Sequence, residues 1–214
     1  MDWAWIVREA DEIGRRTLEH VALTLVAVVI GFVLSFALAL LVRRVPWLQG
    51  PVIGVSGILY SIPSLALFAM LVPFTGIQSP VTAEIALVSY TILILLRNIL
   101  AGLEGVPDDV IEAAKGMGYT PWQRLWRVEL PVALPVIVAG LRIATVTVIG
   151  LVTVTALIGL GGLGYLIVEI GYRRFFLTAT IVGSVGAILL AVFADRGFVL
   201  LQRALTPWAR RTGS

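Results

Sequence analysis

The sequence predicts an all-α integral membrane protein with five transmembrane helices. Of the 214 residues, 59% are hydrophobic and only 14% are charged, and the mean hydropathy is +0.99. Soluble domains are typically about half apolar and a quarter charged. A helix needs about 20 apolar residues to cross the hydrocarbon core of a bilayer. Five runs of that length occur, at residues 21–42, 52–72, 81–100, 132–158 and 177–200.

Small and hydroxyl-bearing residues recur inside these runs, most clearly in the fourth, which contains Thr145, Thr147, Gly150, Thr153 and Thr155. Small residues let helix backbones approach closely, and hydroxyl groups hydrogen-bond across helix interfaces. This pattern favours a packed bundle over isolated membrane anchors.

The second run is interrupted by Pro63, which Ser61 and Ser64 flank. Proline removes a backbone donor and frees a carbonyl within the helix, so a kink is expected there. Neighbouring hydroxyls are able to satisfy the freed group. The sequence leaves open whether these three residues line a pathway or only shape the packing.

The distribution of lysine and arginine predicts an outer N-terminus and a cytoplasmic C-terminus. With that orientation the inner side carries Arg43, Arg44, Arg97, Lys115, Arg124, Arg127, Arg196, Arg203, Arg210 and Arg211. The outer side carries Arg8, Arg15, Arg16, Arg173 and Arg174. The predicted organisation is an N-terminal interfacial segment (1–19), one transmembrane domain (20–203) and a cytoplasmic tail (204–214).

The largest polar connection, at about residues 101–131, lies between the third and fourth runs and is predicted to be cytoplasmic. Pro107 followed by Asp108 and Asp109 is typical of a helix start, with a side chain able to cap and acids in the first turn. Gly116 and Gly118 are expected to end this helix. Thr120-Pro121 predicts a second helical piece leading into the fourth run. These features leave two interpretations of the helix open, a docking element for a partner and an ordinary interfacial helix.

Four glycines, Gly159, Gly161, Gly162 and Gly164, follow the fourth run. Three of them fit the dinucleotide-binding spacing, but that motif needs a preceding soluble strand, and here an apolar run precedes it. The nucleotide interpretation is therefore rejected. Glycines at a helix end permit a tight turn, so an outer gate and a plain turn both remain open.

Composition excludes several other chemistries. The chain has no cysteine and a single histidine, so disulfides and thiolate metal sites are excluded. Its only lysine, Lys115, is not part of a phosphate-binding loop, and no catalytic cluster is evident. We expect no cofactor on this chain, no enzymatic activity of its own, no nucleic-acid partner and contact with membrane lipid.

Among the charges within the apolar runs, Arg142 in the fourth and Asp195 in the fifth are candidates for a pair. Intramembrane charges are costly and usually pair with one another or serve function. Both are expected near the cytoplasmic side, so we predict that they pair and that the pair is structural.

A longer motif then becomes recognisable in the polar connection. Glu112-Ala113-Ala114, three residues, Gly118, nine residues, Val128, one residue and Leu130-Pro131 resemble the EAA motif of ABC-importer permeases, with valine at the usual isoleucine. In that family the segment is the coupling helix that docks into a cleft of the cytoplasmic ATPase. The resemblance therefore implies a coupling role for Glu112, Ala113, Ala114, Gly118, Leu130 and Pro131.

Runs along nearly the whole chain resemble the osmoprotectant permeases, which import glycine betaine, carnitine, choline or proline. They are Glu19-His20, the segments 61–66, 96–98 and 157–164, and Leu205-Thr206-Pro207. The resemblance implies a bacterial cytoplasmic membrane, a second identical or sibling permease subunit, ATPase subunits that carry ATP and Mg, and an external binding protein. Alternatives are an importer of methionine or another small zwitterion, and a self-sufficient channel or ion-coupled carrier.

Overall fold

A computed structural model describes residues 1–206, and all regular secondary structure in that part of the chain is helical. The α-helices are α1 (Trp3–Arg8), α2 (Ala10–Arg44), α3 (Gln49–Ser61), α4 (Ser64–Thr75), α5 (Pro80–Glu104), α6 (Asp108–Gly116), α7 (Pro121–Arg124), α8 (Leu130–Val154), α9 (Leu163–Tyr165) and α10 (Leu177–Leu205). Short 3₁₀ turns occupy Pro46–Leu48 and Thr155–Ile158, and π-helical turns occupy Leu125–Glu129 and Leu166–Tyr172.

The helices α2, α5 and α8 form the centre of the bundle, and small residues set their spacing. A Cβ atom on Gly31 of α2 would lie 1.8 Å from Oγ1 of Thr91 in α5. A Cβ atom on Gly140 of α8 would lie 2.5 Å from Cβ of Asn98. Glycine is therefore required where these backbones approach most closely, as the small residues in the apolar runs predict.

One end of the bundle carries α6, and we call it the α6 end. Here Gln49 at the start of α3 donates a hydrogen bond to Glu104 at the end of α5 (3.3 Å). Gln202 near the end of α10 donates to the carbonyl of Pro135 near the start of α8 (3.4 Å). The helices α2, α5 and α10 therefore finish at the end where α8 begins.

The opposite end carries the glycine loop, which we define as residues 159–164. The backbone N–H of Gln78, just before α5, donates to the carbonyl of Ile158 (3.1 Å). The backbone N–H of Leu163 donates to Nδ1 of His20 in α2 (3.2 Å). Consequently the beginnings of the parallel helices α2 and α5 lie at this end.

The second apolar run is a sharply broken pair of helices and not the simple kink that the sequence suggests. The helices α3 and α4 meet at 97°, with Ile62 and Pro63 in extended conformations. Proline disfavours helical geometry at the residue before it, which explains the break. The hydroxyl of Tyr90 in α5 donates to the freed carbonyl of Ile62.

The broken pair connects the two ends of the bundle. It begins beside Arg44 at the α6 end and finishes beside Gln78 at the glycine-loop end. Among the described residues, four helices are long and apolar enough to cross a membrane, and the number becomes five if the bent pair is one span.

The N-terminal boundary expected at residue 19 does not coincide with a break in the structure. The helix α2 begins at Ala10 and continues to Arg44. Only α1 is a separate piece, and it packs beside the start of α10 through an edge-to-face contact of Trp5 with Phe176. Of the predicted tail, residues 207–214 lie outside the described residues, including Arg210 and Arg211.

Candidate functional site

The helix α6 is a nine-residue element whose charges suit its dipole. Asp108 and Asp109 occupy its first turn, and Lys115 its last turn. The predicted side-chain cap from Asp108 is wrong, because Pro107 holds the N-cap position and no side-chain cap bond forms. Asp108 is the first helical residue, so it stabilises α6 through the interaction of its negative charge with the positive end of the helix dipole.

The end of α6 depends on Gly118. This residue has φ of +79°, and an added Cβ atom would have no neighbour within 4 Å. The N–H of Tyr119 donates to the carbonyl of Ala114 (3.1 Å), and the N–H of Gly118 donates to that of Lys115 (2.9 Å). Glycine is needed here for its backbone conformation and not for space.

The small residues of α6 divide between its two faces. Glu112 and Ala113 are exposed, whereas Ala114 is buried. The exposed face continues through Lys115 and Gly116. Ala114 therefore seats the helix on the bundle, and Glu112 and Ala113 are the motif residues in α6 that a partner would meet.

The segment after Gly118 joins α6 to α8 through a continuous helical piece that consists of α7 and the π-helical turn Leu125–Glu129, and we call this piece the strut. Thr120 and Gln123 form a reciprocal capping box, which starts α7. The π-helical turn Leu125–Glu129 then leads directly into α8. Leu130 and Pro131 form the first turn of α8 and line an apolar groove of about 490 Å³ together with Phe32, Phe36, Trp126, Leu134 and Ile137.

Glu129 is a buried carboxylate in this strut to which sequence reasoning assigned no role. It lies 2.6 Å from Nε of Arg124 in α7 through Oε1, and 2.6 Å from Nη1 of Arg43 in α2 through Oε2. Its side chain is only 1% exposed. The sequence carried a signal, since an acid stands directly before Leu130-Pro131 and Arg43 was expected on the same membrane side.

The glycine loop is packed tightly against α2 and α8. Gly159 and Gly162 have φ of +81° and +80°. A Cβ atom on Gly161 would lie 1.9 Å from Oε2 of Glu19, and one on Gly164 would lie 2.1 Å from the carbonyl oxygen of Thr153. Glycine is thus required by conformation at positions 159 and 162 and by close approach to backbone at 164, whereas at 161 the Glu19 side chain would have to move.

His20 holds this loop in place, although the sequence suggested no function for it. The ring is fully buried and bonds through both nitrogens. Nδ1 accepts from the N–H of Leu163 (3.2 Å), and Nε2 lies 3.0 Å from the carbonyl of Ile149 and donates to it. Beside it, Oε2 of Glu19 accepts from the N–H of Gly162 (3.1 Å).

Replacing His20 with phenylalanine is expected to destabilise the glycine-loop end of the bundle. The change keeps a ring but leaves the buried N–H of Leu163 without its acceptor, which costs about 1–3 kcal/mol. The measurement is the thermal unfolding midpoint of the detergent-purified protein. Glu9→Gln, at a partly exposed position between α1 and α2, is the control, and equal midpoints for the two variants would contradict the role assigned to His20.

The break between α3 and α4 holds Ser61, Pro63 and Ser64. Ser61 is exposed, and its hydroxyl donates to the carbonyl of Gly57 (2.8 Å). Ser61 and Pro63 line an open groove together with Gly54, Gly57, Ile58 and Ile62. Ser64 is the first residue of α4 and is half-buried.

Arg142 and Asp195 form an ion pair between α8 and α10. The two side chains remain 42% and 29% exposed and border a cavity of about 430 Å³ with Val146 and Thr147. Arg142 lies about 18 Å along α8 from its start at 1.5 Å per residue. Charges at such depth face protein or water and not lipid, so this face is covered in the assembly or lines a hydrated space.

The fold is shared with solved transporters. A chain of the MetNI methionine ABC transporter in an inward-facing conformation superposes with a TM-score of 0.78 at 28% identity, covering 91% of this chain and 96% of that one. A chain of an amino acid ABC transporter with histidines superposes with a TM-score of 0.79 at 19% identity, covering 95% and 99%, which shows likeness of fold.

Curated relatives match over nearly the whole chain. The choline transport system permease protein OpuBB of Bacillus subtilis is 37% identical over 196 residues, which are 92% of this chain and 89% of the relative. The osmoprotectant import permease protein OsmW of Salmonella typhimurium is 36% identical over 210 residues, covering 95% and 96%.

A family model described as the binding-protein-dependent transport system inner membrane component matches residues 27–210. This range includes every element from the core of α2 to the end of α10, and with it α6 and the glycine loop. The chain therefore belongs to the family of binding-protein-dependent transport system inner membrane components, as a permease subunit of an ABC transporter and not as an enzyme.

Proposed function

We propose that this chain forms part of the translocation pathway of an ATP-driven importer for a compatible solute such as glycine betaine, choline, carnitine or proline. The observation that carries the proposal is α6, a charged helix that presents Glu112 and Ala113 at one end of an apolar bundle. The named transport systems of the curated relatives support the substrate class. The matching partners are ATPase subunits that bind ATP and Mg, a second permease subunit and an external binding protein.

Coupling follows from the continuity of the helices. The helix α6 contacts the strut, and the strut runs without a break into α8. A displacement of α6 by the ATPase would therefore tilt α8, which is the kind of rigid-body movement that alternating access requires. Gly118 fixes the angle at which α6 leaves the strut, and Leu130 and Pro131 fix the start of α8.

The topology that fits this role has five spans, an outer N-terminus and a cytoplasmic C-terminus. The broken pair of α3 and α4 joins opposite ends of the bundle, which supports counting it as one span. Arg8, Arg15 and Arg16 stand on the unexpected side and form ion pairs with glutamates of the same segment. The bacterial cytoplasmic membrane is the corresponding location.

Substrate would then enter at the glycine-loop end. We assign Gly159, Gly161, Gly162 and Gly164 to the outer gate, and Ser61, Pro63 and Ser64 to the pathway. The domain division that goes with this proposal is a transmembrane permease domain at 20–203, a coupling loop at about 101–131 and a tail at 204–214. The pairing of Arg142 with Asp195 is assigned a structural role.

An importer for methionine or another small zwitterion is the second candidate. The observation that favours it is the likeness to the MetNI methionine ABC transporter in both fold and sequence. The channel or ion-coupled carrier is set aside, because the curated relatives are permeases of transport systems.

Uptake of a labelled substrate panel tests the proposal. Cells expressing this chain with its ATPase and binding protein are given glycine betaine, choline, carnitine, proline and methionine, with a catalytically inactive ATPase as the control. We expect accumulation of at least one compatible solute that the inactive ATPase abolishes. Accumulation of methionine alone would favour the second candidate, and uptake that persists without ATPase activity would contradict the proposal.

A further inference from the structure

The buried carboxylate of Glu129 lies where three elements meet at the α6 end. Its two oxygens contact different helices, with Oε1 2.6 Å from Arg124 of α7 and Oε2 2.6 Å from Arg43 in the last turn of α2. We propose that Glu129 is a positioning residue that clamps the strut to α2, so that movement of α6 carries α2 together with α8. The proposal rests on the coupling function described above and concerns the one position between Val128 and Leu130 that the motif leaves unspecified.

The cluster is a built site and not a chance surface contact. The Glu129 side chain is 1% exposed, whereas those of Arg43 and Arg124 are 31% and 21% exposed. A buried carboxylate is expensive unless cations compensate it, and removing one partner leaves an unpaired charge. Two arginines from separate helices therefore have to stay in place around this oxygen pair.

The clamp links α2 to the strut, which are not consecutive along the chain. The strut continues covalently into α8, but α2 is separated from it in sequence by α3, α4, α5 and α6. An aromatic contact also joins the two here, between Phe36 of α2 and Trp126 of the strut, with 6.1 Å between the ring centroids. Apolar contacts tolerate sliding, whereas the buried carboxylate is held by a charge-assisted hydrogen bond from Arg124 through Oε1 and by close ion pairing with Arg43 through Oε2.

The local backbone places Glu129 where movement would concentrate. Leu125–Glu129 is a π-helical turn between two α-helical pieces. Such turns have wider hydrogen-bonded loops and occur frequently at functional sites. Without the clamp, the strut would shift relative to α2 at this turn, and a displacement of α6 would bend the turn without moving α2.

The test is the number of solute molecules transported per ATP hydrolysed by the complete complex in proteoliposomes. Glu129→Gln removes the charge with little change of shape, and Arg43→Gln removes the cation that reaches it from α2. We expect both to lower transport per ATP by at least about tenfold, because each variant removes one partner of the ion pair that ties the strut to α2. ATP hydrolysis and co-purification with the ATPase should stay close to the wild-type level.

Arg44→Gln is the matched control. Arg44 follows Arg43 in the same turn, is exposed and carries the same charge at the same bundle end. Its replacement should leave transport per ATP unchanged. A cysteine-free chain also permits a rescue, since Arg43→Cys with Glu129→Cys can be bridged by a bifunctional thiol reagent. Bridging should restore transport per ATP.

A purely structural role predicts a different outcome. Hydrolysis, transport and assembly would then fall together, and their ratio would not change. Should Glu129→Gln fail to assemble, Arg43→Gln decides, because equal transport per ATP in Arg43→Gln and Arg44→Gln overturns the clamp. If the wild-type complex takes up none of the panel solutes in an ATP-dependent manner, the proposed function itself is overturned. If the wild type is active and Glu129→Gln keeps the wild-type transport per ATP, only the clamp is overturned.

Discussion

Gly118→Asp is expected to abolish solute uptake while the protein remains inserted in the membrane. Gly118 adopts φ of +79°, and an L-residue in the left-handed region costs about 1–2 kcal/mol, less for aspartate than for most. The new carboxylate also stands at the C-terminal end of α6, where negative charge opposes the helix dipole. Both effects change the angle of α6 against the strut, which the ATPase has to recognise.

The same experiment measures uptake together with the amount of protein in the membrane fraction. The control is Gly116→Ala at the last residue of α6, where an added Cβ atom has no contact and φ is not positive. It should retain uptake, because alanine adopts the backbone conformation of this residue without strain and meets no neighbouring atom. Wild-type uptake from Gly118→Asp would remove the coupling role of this residue.

Gly164→Ala is expected to disrupt the glycine loop and with it both stability and uptake. The added Cβ atom would lie 2.1 Å from the carbonyl oxygen of Thr153, which is backbone of α8 and cannot rotate away. Overpacking of this kind costs typically about 1–3 kcal/mol. Movement of the loop would also loosen the bonds from Leu163 to His20 and from Gly162 to Glu19.

The thermal midpoint and the uptake rate of Gly164→Ala are compared with those of Gly14→Ala. Gly14 lies in α2 towards the same end of the bundle, with nothing within 4 Å of an added Cβ atom. We expect both values to fall only in Gly164→Ala. A Gly164→Ala protein indistinguishable from Gly14→Ala would show that the loop tolerates displacement.

Local features of the fold were predictable because they depend on neighbouring residues. Apolar runs gave the membrane helices, and Thr120-Pro121 and Gly118 marked boundaries that the structure reproduces. Arg142 and Asp195 were expected to meet, since opposite charges in apolar runs that lie towards the same membrane side tend to pair. Pro63 indicated a disturbance, but its size was not predictable, because the 97° turn depends on how α5 receives the freed carbonyl of Ile62.

Contacts between distant residues were beyond sequence reasoning. His20 and Leu163 are 143 residues apart, and nothing in the periodicity of either helix indicates that their ends meet. Glu129 and Arg43 are 86 residues apart, and each alone resembles an interfacial charge. The burial of Ala114 was likewise missed, because helix periodicity gives the faces of α6 without stating which one the bundle covers.

The most direct measurement of the central claim is site-specific cross-linking between this chain and its ATPase in the purified complex. The chain has no cysteine, so Ala113→Cys on the exposed face of α6 and Gly14→Cys on the opposite side of the bundle each provide a single reactive position. Docking through α6 predicts a cross-link to the ATPase from position 113 and none from position 14. A cross-link from position 14, or none from position 113 in a complex that transports, would contradict the account.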